Sequence, residues 1–135
     1  VSPTQRACAL LLFLLTLAAC GAAAGTGDPA RGEQLFRGAA PIAGGNLPAC
    51  IECHPVTPGD RSDIGPGLAG VADRAATTVP EQTAEEYLRQ AIVRPDAYLA
   101  GGFQEGIMPR NYDDGLSPQE LDDLVAYLLT LREAP

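Results

Sequence analysis

Cys50-Ile51-Glu52-Cys53-His54 is the stretch on which the reading of this chain turns. Two thiols sit two residues apart, and the only histidine of the 135 residues follows them directly. The other two cysteines, Cys8 and Cys20, lie near the start of the chain, in a segment of different character. The thiols of the body are therefore this pair alone. A lone C-x-x-C in an exported protein is compatible with a disulfide or with a redox-active dithiol. What the pair and the imidazole hold together has to come from their surroundings.

Residues 1–19 read as a processing segment. Arg6 supplies a positive charge, the run Ala7 to Ala19 is short and apolar, and small residues close it. A comfortable membrane span needs about 20 apolar residues, more than this run provides. Its end, Leu17-Ala18-Ala19-Cys20-Gly21, resembles the lipobox of bacterial lipoproteins. That resemblance implies cleavage before Cys20 and a lipid on its sulfur; an ordinary exported protein cut after one of the alanines is the alternative. Residues 20–27, Gly- and Ala-rich, read as a lipidated cysteine and flexible linker. Residues 28–135 are the expected folded domain.

Such a domain is small and buries a modest fraction of its surface. The whole chain has no Trp, four Tyr and three Phe, one of these in the leader, so a large aromatic core is not available and a prosthetic group is a natural substitute. The formal charge is −8 and becomes −9 when Arg6 leaves with the leader. Every cationic side chain is an arginine. An acidic surface of this kind argues against nucleic acid, whose phosphates need a basic face. It fits either ordinary solubility or electrostatic docking.

Three helices stand out. Asp28-Pro29 is a start signal, Asp as N-cap and Pro in the first turn, for a helix running to about Gly38, with Gly32 and Phe36 on one face. Thr83 to Glu86 forms a capping box for a second helix to about Arg94, which Pro95 ends. Ser117 to Glu120 repeats the device for a last helix with Leu121, Leu124, Val125, Leu128 and Leu131 at helical spacing. Residues 39–80 and 96–115 show neither helical nor strand periodicity, apart from a helical turn at the cysteines. Loops that long in a compact domain are expected to wrap something.

Three chemistries fit Cys50, Cys53 and His54. Structural zinc takes four protein ligands, and the body offers no second Cys/His pair, though a carboxylate can complete a set. A thioredoxin-like pair belongs beside a βαβ unit, of which there is no sign. Covalent attachment of a c-type haem is the third: one turn presents both sulfurs to the vinyl groups, and His54 faces the iron. A second imidazole is then impossible within this chain. Met108, the sole methionine, lies 54 residues later, between Gly106 and Pro109. A lone Met ordinarily fills a core gap. As a sixth ligand it would favour ferrous iron and leave no position open.

From about Asp28 to Leu131 the chain resembles a class I cytochrome c, through Gly32 and Phe36, Cys50-x-x-Cys53-His54, Gly65-Pro66-Gly67-Leu68, Met108-Pro109 and the Val125–Leu131 run. The resemblance implies an all-α fold of three main helices plus short turns and long loops around one haem c bound through Cys50 and Cys53. It implies His54 and Met108 as iron ligands and the Pro66 carbonyl as acceptor for the His54 ring. Tyr127 would pack on Gly32 and Phe36 where the first and last helices cross. Arg61, Arg74, Arg110, Tyr98 and Tyr112 are candidates to reach the haem propionates, each equally at home on an open surface. The chain departs from the mitochondrial pattern in having no lysine and no Trp. More weakly, residues 95–109 resemble monohaem domains associated with membrane oxidases and quinol-oxidising complexes.

The expected function is one-electron transfer on the extracytoplasmic face of a bacterial cytoplasmic membrane, tethered through Cys20. Expected partners are a membrane redox complex (an alternative complex III, a terminal oxidase or a reaction centre) or another cytochrome or cupredoxin. Two alternatives differ in class: a haem enzyme or sensor with a labile Met108, which takes peroxide or a gas, and a haem-free interaction lipoprotein.

Overall fold

A computed structural model describes residues 27–133. The leader, Cys20 and residues 134 and 135 lie outside the described residues. Within them the regular structure is all helical: α1 (Pro29–Phe36), α2 (Val71–Thr78), α3 (Ala84–Val93), α4 (Tyr112–Gly115) and α5 (Pro118–Leu128), with 3-10 turns at Cys50–Glu52 and Pro95–Ala97.

The helix starts follow local chemistry. Asp28 accepts from the Ala30 N–H at 2.9 Å, and Pro29 occupies the first helical position. Thr83 with Glu86, and Ser117 with Glu120, form the expected reciprocal capping boxes. α1 stops at Phe36 because Gly38 turns left-handed, φ +71°. Its N–H reaches the Leu35 carbonyl and that of Ala39 reaches Gln34, which satisfies the last carbonyls of the helix.

Packing begins where α1 crosses α5. A Cβ placed on Gly32 would fall 1.9 Å from the Asp123 carbonyl oxygen and 2.8 Å from the Tyr127 Cβ, so only glycine permits this approach. The Phe36 and Tyr127 rings pack tilted beside the crossing, 5.3 Å between centroids. The buried Asp123 carboxylate then accepts from the Asp28 N–H and from Gln119 Nε2, both at 2.8 Å, and ties the start of α1 to α5. Gly27, the last residue assigned to the linker, already lies against α5, with room for no Cβ beside the Asp122 carbonyl.

The sequence pattern predicts three main helices and, apart from a turn at the cysteines, no regular structure over 39–80; α2 lies inside that stretch. The reason is visible in its residues. Its buried face is Val71, Ala72 and Ala75, small residues that follow a Gly- and Pro-rich run. Its N-cap is Gly70 at φ +67°, which offers no side chain to signal a start. α2 is held by packing on α3 rather than by its own pattern. The short α4 escaped for a similar reason: of its four residues only Tyr112 is buried.

Three long-range hydrogen bonds anchor the segment between α1 and the cysteines, one of them from the Gly44 N–H to the Gly115 carbonyl at 2.8 Å. Glu120 Oε1 accepts from the Ala43 N–H at 2.9 Å, and Tyr112 donates its hydroxyl to the Pro48 carbonyl at 2.8 Å. This brings Cys50 over the open side of the helices.

Candidate functional site

The turn that carries the cysteines is helical in its hydrogen bonding. The N–H groups of Cys53 and His54 both reach the Cys50 carbonyl, at 3.2 and 2.9 Å, while Glu52 Oε1 accepts from the Ala49 N–H at 3.1 Å. Both thiols are free. Cys50, Cys53 and His54 line one apolar cleft, floored by Phe36 of α1, Leu88 and Ile92 of α3, and Leu124 and Leu128 of α5. Met108 and its neighbour Pro109 line the same cleft from the segment that follows α3.

The imidazole is held from two sides. Its Nδ1 lies 2.9 Å from the Pro66 carbonyl oxygen. A carbonyl only accepts, so Nδ1 carries the proton and Nε2 keeps the ring's free lone pair. Burial lowers the pKa of His54 below the ordinary histidine value, against the opposing effect of the Pro66 bond. The neutral ring is the form that binds metal. Gly65 makes this possible: a Cβ there would stand 2.7 Å from His54 Cε1 and 2.9 Å from Nδ1.

The thiol chemistry separates the three readings of the motif. Burial pushes the Cys50 thiol up to about 11, whereas a nucleophilic redox cysteine needs its thiolate stabilised. Among the described residues no three His, Cys, Asp or Glu side chains gather in a way that could hold a metal ion, so zinc has no ligand set. Two free thiols, an imidazole with one free lone pair and a thioether, all on one apolar cleft, fit a covalently attached haem.

The residues proposed for propionates divide. Tyr112 is buried and spends its hydroxyl on Pro48. Arg74 donates to the Ala69 and Gly67 carbonyls, at 2.6 and 3.0 Å, and closes the turn after Pro66. Arg110 pairs with Asp96. Tyr98 stacks edge-on against Tyr87, 5.8 Å between centroids, at the cleft wall. Arg61 is exposed. Sequence reasoning missed Asp96, which also lines the cleft and accepts from the Gly106 N–H at 2.9 Å. No local pattern marks it, since its partners lie 10 and 14 residues away.

The family model for cytochrome c matches residues 29–132. Over 131 residues the chain is 29% identical to cytochrome c2 of Blastochloris viridis, covering 88% of this chain and 90% of that one. Over 123 residues it is 28% identical to cytochrome c2 of Agrobacterium tumefaciens (strain II Chrys), covering 76% of this chain and 91% of that protein. A shorter stretch of 54 residues is 41% identical to cytochrome c2 iso-2 of Rhodospirillum centenum and covers 40% of this chain and 36% of that relative.

Proposed function

Since this chain belongs to the cytochrome c family, we propose that it carries single electrons between larger redox proteins, with Cys50 and Cys53 holding the haem and His54 and Met108 as its axial ligands. It is an electron-transfer protein rather than an enzyme, its cofactor is one covalently bound haem c, and its fold is that of a class I cytochrome c. The bound haem supplies one-electron exchange between ferric and ferrous iron.

The chain's own residues do the rest. Pro66 fixes the tautomer and plane of His54. The apolar walls from α1, α3 and α5 would give the haem a largely apolar surround. Met108, which lines the same cleft, would supply a thioether to the iron, and such a ligand would raise the potential and leave no position open to small ligands. The observation that carries the reading is the His54–Pro66 bond within a cleft that also presents Cys50, Cys53 and Met108.

We further propose that Cys20 carries the lipid and tethers the protein to the extracytoplasmic face of a bacterial membrane. No described helix is long and apolar enough to cross a membrane itself. The support for the tether is the order Leu17-Ala18-Ala19-Cys20-Gly21. A tether confines the search to a thin layer and raises the effective concentration near membrane partners. The partners proposed are a quinol-oxidising complex such as alternative complex III, a terminal oxidase or a photosynthetic reaction centre, reached directly or through another cytochrome or a cupredoxin.

The test of the site is Met108→Leu in the haem-loaded protein. Loss of the near-infrared sulfur-to-iron band and a fall in midpoint potential support the assignment; an unchanged spectrum and midpoint overturn it. The test of the tether is Cys20→Ser, which should move the protein from the membrane fraction to the soluble one.

A further inference from the structure

The segment that bears Met108 has little backbone structure of its own. Among the described residues, the backbone N–H groups of residues 98–110 with a partner are those of Phe103, which reaches the Ala100 carbonyl at 3.1 Å, and Gly106. Gly106 does not bond within the segment. Its N–H donates across to Asp96 Oδ1 at 2.9 Å. The other oxygen of the same carboxylate, Oδ2, accepts from the Arg110 guanidinium. Met108 lies midway between Gly106 and Arg110, so both ends of the span around it are gripped by one side chain.

That side chain is mounted on rigid structure. Asp96 belongs to the 3-10 turn Pro95–Ala97, which closes onto the end of α3 through the Ala97 N–H to Arg94 carbonyl bond at 2.9 Å. α3 in turn supplies Leu88 and Ile92 to the cleft floor. Gly106 adopts φ +75°, a conformation that turns its N–H out of the segment and that L side chains rarely take. The Gly106 N–H, and after it Arg110, hold the Asp96 carboxyl below the usual carboxylate range, so the clamp is ionised at neutral pH.

We propose that Asp96 is a positioning residue for Met108, its carboxylate setting how often the thioether leaves the cleft. The inference rests on Met108 being the distal ligand. An external ligand binds only when the thioether has left, so its apparent affinity scales with the fraction of open molecules. A residue that holds the segment closed therefore controls that affinity without touching the ligand.

The experiment uses the haem-loaded ferric protein and imidazole as the external ligand. Asp96→Ala should tighten imidazole binding about tenfold, the open fraction rising in proportion. Asp96→Asn, which keeps the side-chain shape, should act in the same direction and covers the case in which the alanine variant does not mature. Asp96→Glu should recover part of the wild-type affinity. In a Met108→Ala background the Asp96 substitutions should have no effect on imidazole affinity, because no thioether remains to position. A purely structural role would lower the thermal midpoint and leave imidazole affinity at low temperature unchanged. Unchanged affinity in both Asp96 variants, with a wild-type near-infrared band that Met108→Ala abolishes, overturns the positioning role and leaves the ligand assignment standing. A wild-type protein without that band overturns both.

Discussion

His54 and Pro66, twelve residues apart in the chain, are joined by a hydrogen bond of 2.9 Å between the ring Nδ1 and the carbonyl oxygen. The preceding residue, Gly65, is what lets the two meet, since the ring occupies the space a side chain would need. The orientation of the imidazole is thus set by a backbone carbonyl and by the absence of a Cβ, neither of which is a charged or catalytic group.

Gly65→Ala forces a methyl to within 2.7 Å of His54 Cε1, so the half-buried ring has to shift. The expected loss of stability is about 1–3 kcal/mol, typical of overpacking. Because the ring must tilt away from Pro66, the midpoint potential should shift as well. Thermal unfolding and a redox titration of the haem-loaded variant check the two effects separately.

Gly32→Ala tests the helix crossing by its sign. In an isolated helix the change would stabilise by about 1 kcal/mol. Here the new Cβ would stand 1.9 Å from the Asp123 carbonyl oxygen, so α1 and α5 must separate. A destabilisation of at least about 1–3 kcal/mol is expected in denaturant unfolding, and any stabilisation contradicts the crossing.

Tyr112→Phe removes the hydroxyl that holds Pro48, and with it the anchor of the segment leading to Cys50. A neutral hydrogen bond of this kind contributes about 0.5–1.5 kcal/mol. The loss should appear in thermal unfolding, with the absorption spectrum nearly unchanged, because the phenyl ring still fills its place in the cleft wall.

Glu120 gives the protein a pH dependence of known sign. Burial raises its pKa, but the N–H and hydroxyl of Ser117 and the N–H of Ala43 outweigh burial and leave it below the ordinary glutamate value of 4.5. A depressed folded-state pKa stabilises the fold above the unfolded value, and that stability is lost as pH falls through the folded value. Glu120→Gln should therefore lower the thermal midpoint at about pH 7, and the gap to wild type should narrow steadily towards about pH 3.

The site was legible in proportion to how local its chemistry is. Cys50, Cys53 and His54 lie on one turn whose hydrogen bonds close within four residues, and the sequence alone marks them. Asp28, Thr83 and Ser117 mark helix starts for the same reason, each cap acting within three residues of itself. Gly32 was readable through its spacing from Phe36 and through the crossing that the family resemblance implies. α2 was not, because an alanine face behind a glycine cap carries its stability in contacts with α3 rather than in its own side chains.

By itself the sequence determined the starts of α1, α3 and α5, the C-x-x-C-H turn, and that a single imidazole and a single thioether are on offer. Tertiary structure decided which distant groups hold them: Pro66 on His54, Pro48 under Tyr112, Asp123 at the head of α1, and Asp96 across the span around Met108. The physical reason is range. A cap or a C-x-x-C-H turn is satisfied by neighbours in the chain, whereas a buried carbonyl or carboxylate takes whichever donor packing delivers, and packing is settled only when α1, α3 and α5 close on one another.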